Sequence, residues 1–60
     1  MDAIRTSQTA RALLDAQGPR AEAEAARRAR RFDAAGQHGE AEAWTRIRQA
    51  IRQMRGPNES

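Results

Sequence analysis

Apolar residues recur at helical spacing in the stretch GEAEAWTRIRQAIRQM (39–54). Residues three and four positions apart lie on one face of an α-helix, so this spacing predicts a single apolar stripe. No stretch of the chain alternates apolar and polar residues as a half-buried strand would. The pattern therefore predicts an all-α fold. The stripe consists of Ala43, Trp44, Ile47, Ala50, Ile51 and Met54.

Glycine and proline mark the end of a first predicted helix. This helix is expected over residues 3–17, with Asp2 as a candidate N-cap. The sequence QGP (17–19) follows it. Gly18 suits a left-handed C-cap, and Pro19 suits the first turn of the next helix, so two short helices are expected here rather than one.

Two further helices are predicted in the rest of the chain. The second covers residues 19–35 and the third covers 40–55, with the turn AGQHG (35–39) between them. Residues 56–60, GPNES, are typical of a disordered tail. The prediction is therefore one three-helix domain over residues 1–55, with a small helical bundle as its architecture.

The last two predicted helices are expected to form an antiparallel hairpin. In that arrangement the bulky Ile51 faces the small Ala25, which permits close packing. Trp44 would meet Phe32 beside the turn, where the two rings could stack edge to face. Trp44 is thus predicted to be a core residue. Exposure at a partner interface is the next interpretation, and stacking on a nucleic-acid base is the third.

Large apolar side chains are few for a chain of 60 residues. Burying one contributes about 1.5–3 kcal/mol, so a monomer of this size should be only marginally stable. The chain has no cysteine and one histidine, so disulfides and thiolate metal sites are excluded. Association with a protein partner or with a second copy remains as the stabilising device. The predicted interaction residues are Leu13, Leu14, Trp44, Ile47, Ile51 and Met54.

The first helix is expected to cover the open side of the hairpin through Leu13 and Leu14. The sequence leaves open whether that hairpin belongs to the same chain or to a neighbour.

Residues that could carry catalysis are not grouped in any recognisable way. His38 has no nucleophile or proton relay nearby in the sequence, and a polar turn residue is the simpler interpretation. The carboxylates lie at helical spacing from arginines, which is typical of surface ion pairs. We therefore predict no catalytic residue, metal site, cofactor or small-molecule substrate. The expected role is that of a non-enzymatic interaction or accessory module.

Arginine supports a second hypothesis. All 11 basic residues are arginine, yet the net charge is only +3. Arginine lines on two helices could follow a phosphate backbone, so binding of DNA or RNA is the alternative function. The residues that would contact phosphates are Arg27, Arg28, Arg30, Arg31, Arg48, Arg52 and Arg55.

The amino terminus, MDAIR, has an acidic residue early and no apolar core of the kind that secretory signals carry. No uncharged stretch approaches the length needed to span a membrane. The expectation from these features is a cytoplasmic protein that does not bind membranes.

Two resemblances add to these inferences. AEAWTRIRQAI (41–51) resembles the first helix of a tetratricopeptide repeat, but Arg48 replaces a small residue and no second copy follows, so we interpret it as shared hairpin packing. Gly18, the Ala35-Gly36 pair (35–36) and Trp44 followed by Ile47 form a pattern similar to that of short uncharacterised bacterial helical proteins. Gln17 and Gln37 stand where those proteins usually have histidine and aspartate. This resemblance implies a helical fold. It does not indicate any activity.

Overall fold

The computed structural model describes residues 3–55, with side chains from residue 5 onward. The described part is all-α, as the apolar spacing predicts. Helix α1 spans Ala3–Gln17, α2 spans Ala21–Ala34 and α3 spans His38–Met54. The predicted N-cap at Asp2 and the predicted disordered tail lie outside the described residues.

The junction between α1 and α2 is a bend rather than a loop. A 3-10 turn, Gly18–Arg20, joins the two helices directly, and the amide of Ala21 donates to the carbonyl of Gly18. Gly18 has the left-handed backbone predicted for it, with φ of +59°. The expectation of two separate short helices is therefore wrong at this point. Residues 3–34 form one long bent helical segment, and α3 packs against it.

The second junction is a tight turn over residues 35–37. Gly36 has φ of +81°, and the amide of Gln37 donates to the carbonyl of Phe32 at 2.8 Å. Helix α3 begins at His38, two residues before the predicted start, because the amide of Ala41 already donates to the carbonyl of Gln37 at 3.0 Å. Gly39 therefore lies in the first turn of α3.

Helices α2 and α3 run antiparallel. The Arg55 guanidinium, just past the end of α3, lies 3.0 Å from Glu22 near the start of α2. At the other end His38 lies 2.7 Å from Asp33. Trp44, however, meets a different residue from the one predicted. Among the described residues, Arg28 rather than Phe32 makes the ring contact with Trp44.

The core is small and consists mainly of alanine. Ile51 is the largest side chain that is fully buried. No polar or charged side chain in the described part of the chain is buried. The helices thus approach closely through small residues, and few large side chains are buried between them. The buried residues are Ala10, Ala21, Ala25, Ala41, Ala43, Ile47 and Ile51.

Candidate interaction surface

The six predicted interaction residues divide into two groups. Ile47 and Ile51 are only 3% and 0% exposed, so in the folded chain they are core and offer no surface to a partner. The others are partly buried and pack against the outside of the core cluster. These four, which keep some surface for contact with another molecule, are Leu13, Leu14, Trp44 and Met54.

Phe32 and Trp44 are the only aromatic residues of the chain, and they line the same surface hollow beside the 35–37 turn. The hollow has a volume of about 500 Å³ and is open to solvent on one side. The sequence predicted that these two residues lie close together and that their rings pack against each other. Instead, part of each side chain remains exposed. The other described residues that line the hollow are Arg28, Arg31, Ala35 and Gln37.

Arg28 is held in place from two sides. Its guanidinium carbon lies 4.8 Å from the centroid of the Trp44 ring, a cation–π distance. Its Nε donates to Oε2 of Glu24 at 2.9 Å. The pairing with Glu24 follows from the spacing of four along a helix and was expected from the sequence. The contact with Trp44 was not expected, because it depends on how α2 and α3 are aligned.

Arg31 lies one turn beyond Arg28 and lines the same hollow. Its side chain is exposed and forms no ion pair with any described residue. The described lining of the hollow therefore carries two guanidinium groups and no carboxylate. The hollow thus brings two guanidinium groups next to two aromatic side chains; Phe32 and Trp44 are called its aromatic floor and Arg28 and Arg31 its rim.

The opposite flank of the α2–α3 pair has different chemistry. Its two shallow hollows are lined by small side chains such as Ala26, Ala29 and Thr45, together with both acidic and basic residues. Below them Glu22 accepts from Arg55 and also lies 3.8 Å from Arg48. Acidic and basic side chains largely balance each other on this flank. The flank therefore favours neither an anionic nor a cationic molecule.

The arginines proposed to bind phosphate do not form one continuous line. Four of the seven lie within 4.0 Å of Glu22 or Glu24, namely Arg27, Arg28, Arg48 and Arg55. The remaining three form no ion pair with a described residue, and they are Arg30, Arg31 and Arg52. Arg30 and Arg31 line hollows on opposite flanks of α2, so they cannot contact one phosphate together.

A further shallow depression of about 450 Å³ lies where α1 meets the end of α3. Met54 and Ala12 form its apolar part, and polar residues of α1, including Gln8 and Asp15, form the rest. It has neither aromatic residues nor a cluster of like charges. The hollow at Phe32 and Trp44 is therefore the more distinctive of the two.

The single histidine of the chain and its carboxylates form no metal-binding group within the described residues. His38 contacts Asp33 on an exposed surface, with 75% of the His38 side chain accessible. Within residues 3–55 no three histidine, cysteine, aspartate or glutamate residues are placed to hold a metal ion. None of the described helices has both the length and the apolar character needed to cross a membrane.

Comparison of the chain with protein-family models, with curated proteins and with solved structures gives no match.

Proposed function

We propose that this protein is a small non-enzymatic interaction module, an all-α helical protein that acts by binding another polypeptide, including a second copy of itself. One observation carries the proposal. Of the larger apolar side chains that the structure describes, two are buried, Ile47 and Ile51. The others keep part of their surface in contact with solvent, and they are Leu13, Leu14, Phe32, Trp44 and Met54.

Partial exposure of most large side chains has an energetic consequence. Fully buried, each would stabilise the fold by about 1.5–3 kcal/mol, and a partly exposed one contributes only a fraction of that. A chain of this length buries a smaller share of its surface than a larger domain does. A partner that covers the exposed apolar surface would therefore stabilise the fold while it binds.

Sedimentation at several protein concentrations, combined with thermal unfolding of the same samples, tests this proposal. Self-association is expected to give a mass above the 6.7 kDa of one chain and a melting temperature that rises with concentration. Binding to a different protein is expected to give the same rise when that partner is added. A folded monomer of high stability that retains no protein from its native host would overturn the proposal.

Nucleic-acid binding is the second candidate, and the exposed guanidinium groups of Arg30, Arg31 and Arg52 support it. The pairing of four other arginines with carboxylates weighs against it. Arg28 also covers part of the Trp44 ring, so a base could stack there only by displacing that guanidinium. A gel-shift series at rising salt separates the two functions, because phosphate binding must weaken steeply with salt.

The similarity to short bacterial helical proteins remains a prediction. It suggests a shared helical fold and adds no activity to the proposed function.

A further inference from the structure

The hollow at Phe32 and Trp44 is lined by both aromatic residues of the chain and by two arginines, a combination that none of the other described hollows has. Its floor is aromatic, and its rim carries the guanidinium groups of Arg28 and Arg31. The nearest carboxylate that the contacts show is Glu24, and it is occupied by Arg27 and Arg28. A ligand for this hollow must therefore bring an anionic group and an apolar group close to each other.

Arg28 is already arranged to receive an anion. The Trp44 ring contacts one face of the guanidinium, and Glu24 accepts a hydrogen bond from its Nε. Its two terminal nitrogens remain on the side away from Nε, where a carboxylate can accept from both at once. Little side-chain freedom is left to be lost when a ligand binds, and such preorganisation raises affinity.

We propose that this hollow binds an acidic segment of a partner protein. One carboxylate of the segment binds Arg28 and Arg31, and a neighbouring apolar side chain packs on Phe32 and Trp44. This inference rests on the proposed function and assigns it a site and a class of partner. Charge complementarity selects the occupant, since the described lining has cations and no anion.

A peptide suits this hollow better than a nucleic acid does. Phe32 offers apolar surface to an aliphatic side chain, whereas a stacked base would need the face of the Trp44 ring that Arg28 covers. Of the other arginines on α2 and α3 or just past the end of α3, Arg27, Arg48 and Arg55 lie within 4.0 Å of a carboxylate, and Arg30 lies on the opposite flank, so few unpaired cations extend the pair at the hollow. A carboxylate of a partner protein, in contrast, needs only the guanidinium groups of Arg28 and Arg31.

Trp44 makes the test direct, because it is the only tryptophan of the chain and it lines the proposed site. The probe is a short synthetic peptide with glutamates on both sides of a leucine, labelled with fluorescein. Binding is followed both by tryptophan fluorescence and by anisotropy of the label. Matched peptides replace the glutamates by glutamine or the leucine by alanine, and single-stranded oligothymidylate serves as the nucleic-acid probe.

Neighbouring arginines provide a matched pair of variants. Arg31→Gln removes a cation from the hollow, and Arg30→Gln removes the same charge from the opposite flank. Both side chains are exposed and unpaired within the described residues, so both variants should fold. We expect Arg31→Gln to weaken peptide binding about fivefold, as for one exposed charge contact. Arg30→Gln should change it by less than about twofold.

Phe32→Ala tests the apolar half of the site. It should weaken binding of the leucine peptide and leave binding of the alanine peptide nearly unchanged. Far-ultraviolet circular dichroism confirms that the variant is folded before it is titrated.

Equal losses in the two arginine variants would overturn the inference, because they would show attraction to overall charge. Peptide binding that leaves the fluorescence of Trp44 unchanged would also overturn it. So would oligothymidylate binding that is tighter than peptide binding and is lost in Arg31→Gln. If the chain still associates with itself or with a host protein in the Arg31→Gln and Phe32→Ala variants, the site is wrong and the proposed function stands. A folded monomer that binds neither peptides nor proteins contradicts both.

Discussion

The two flanks of the α2–α3 pair enclose hollows of similar size but of different chemistry. The hollow at Phe32 and Trp44 measures about 500 Å³, and each of the two on the other flank measures about 390 Å³. Shape alone does not distinguish them. The first has two aromatic side chains and two arginines, of which Arg28 is paired with Glu24 and Arg31 has no described ion pair. The second has alanine walls and balanced charges. The two flanks therefore differ in the side chains that they present rather than in the size of their hollows.

Both flanks depend on the same core, and Ile51→Ala should have the largest effect of any single change. Ile51 is fully buried, so its truncation leaves a cavity and should cost about 2–5 kcal/mol. A domain of this size is expected to lose most of its helical signal. Urea unfolding followed by circular dichroism measures the change. If the variant keeps wild-type stability, the core does not hold the two flanks together and the comparison between them has no structural basis.

Trp44→Ala and Thr45→Ala compare the flanks at adjacent positions of α3. Trp44 packs on the core but is partly exposed, so its loss should cost about 2–3 kcal/mol, less than the roughly 3–5 kcal/mol of a fully buried tryptophan. Thr45 lies on the other flank and its hydroxyl donates to the carbonyl of Ala41 at 3.0 Å. Because alanine favours helix more than threonine does, Thr45→Ala should stay within about 0.5 kcal/mol. Similar losses at both positions would remove the distinction between the flanks.

Glu24→Gln and Glu22→Gln compare the ion pairs of the two flanks. Each change should lower the free energy of unfolding by about 1 kcal/mol or less, because the arginines involved are partly exposed. Only Glu24→Gln should also alter Trp44 fluorescence and weaken binding of the acidic peptide, since Glu24 holds Arg28 on the ring. If Glu22→Gln disturbs the tryptophan signal equally, Arg28 is not held in place specifically by Glu24.

Asp33→Asn should have the smallest effect. Asp33 and His38 lie 2.7 Å apart, but both side chains are largely exposed. The pair joins the end of α2 to the start of α3 on the balanced flank, and its loss should cost about 0.5 kcal/mol or less. Thermal unfolding checks this value. A loss larger than that of Glu24→Gln would mean that the turn, and not the aromatic flank, controls how the two helices meet.

Local patterns predicted the helices well because helix formation depends on neighbours in the sequence. The apolar spacing over residues 39–54 predicts α3, and the left-handed backbone predicted at Gly18 is confirmed. The AGQHG stretch predicts the turn that contains Gly36, but the left-handed backbone of that residue was not predicted. The exact ends were less predictable. Helix α3 starts at His38 because the carbonyl of Gln37 accepts its first helical hydrogen bond, and no side-chain pattern announces that bond. The 3-10 turn between α1 and α2 likewise depends on backbone geometry.

The candidate site was predictable only in part. Both of its aromatic residues were brought to the same place near the turn by assuming an antiparallel hairpin. Which side chain meets the Trp44 ring depends on the rotation and alignment of α2 against α3, and one helical turn separates Phe32 from Arg28. The sequence pattern alone does not distinguish between these two alignments.

The amino-acid sequence by itself determined that this chain is helical, where its turns bend and which helix faces are apolar, because these properties arise from residues within a few positions of each other. Tertiary structure alone decided that α1 and α2 join without a loop, that Ile47 and Ile51 are buried while Trp44 stays partly exposed, and that Arg28 lies on its ring. These outcomes depend on how closely alanine-lined helices approach and at what alignment. Many weak contacts along both helices determine that alignment together.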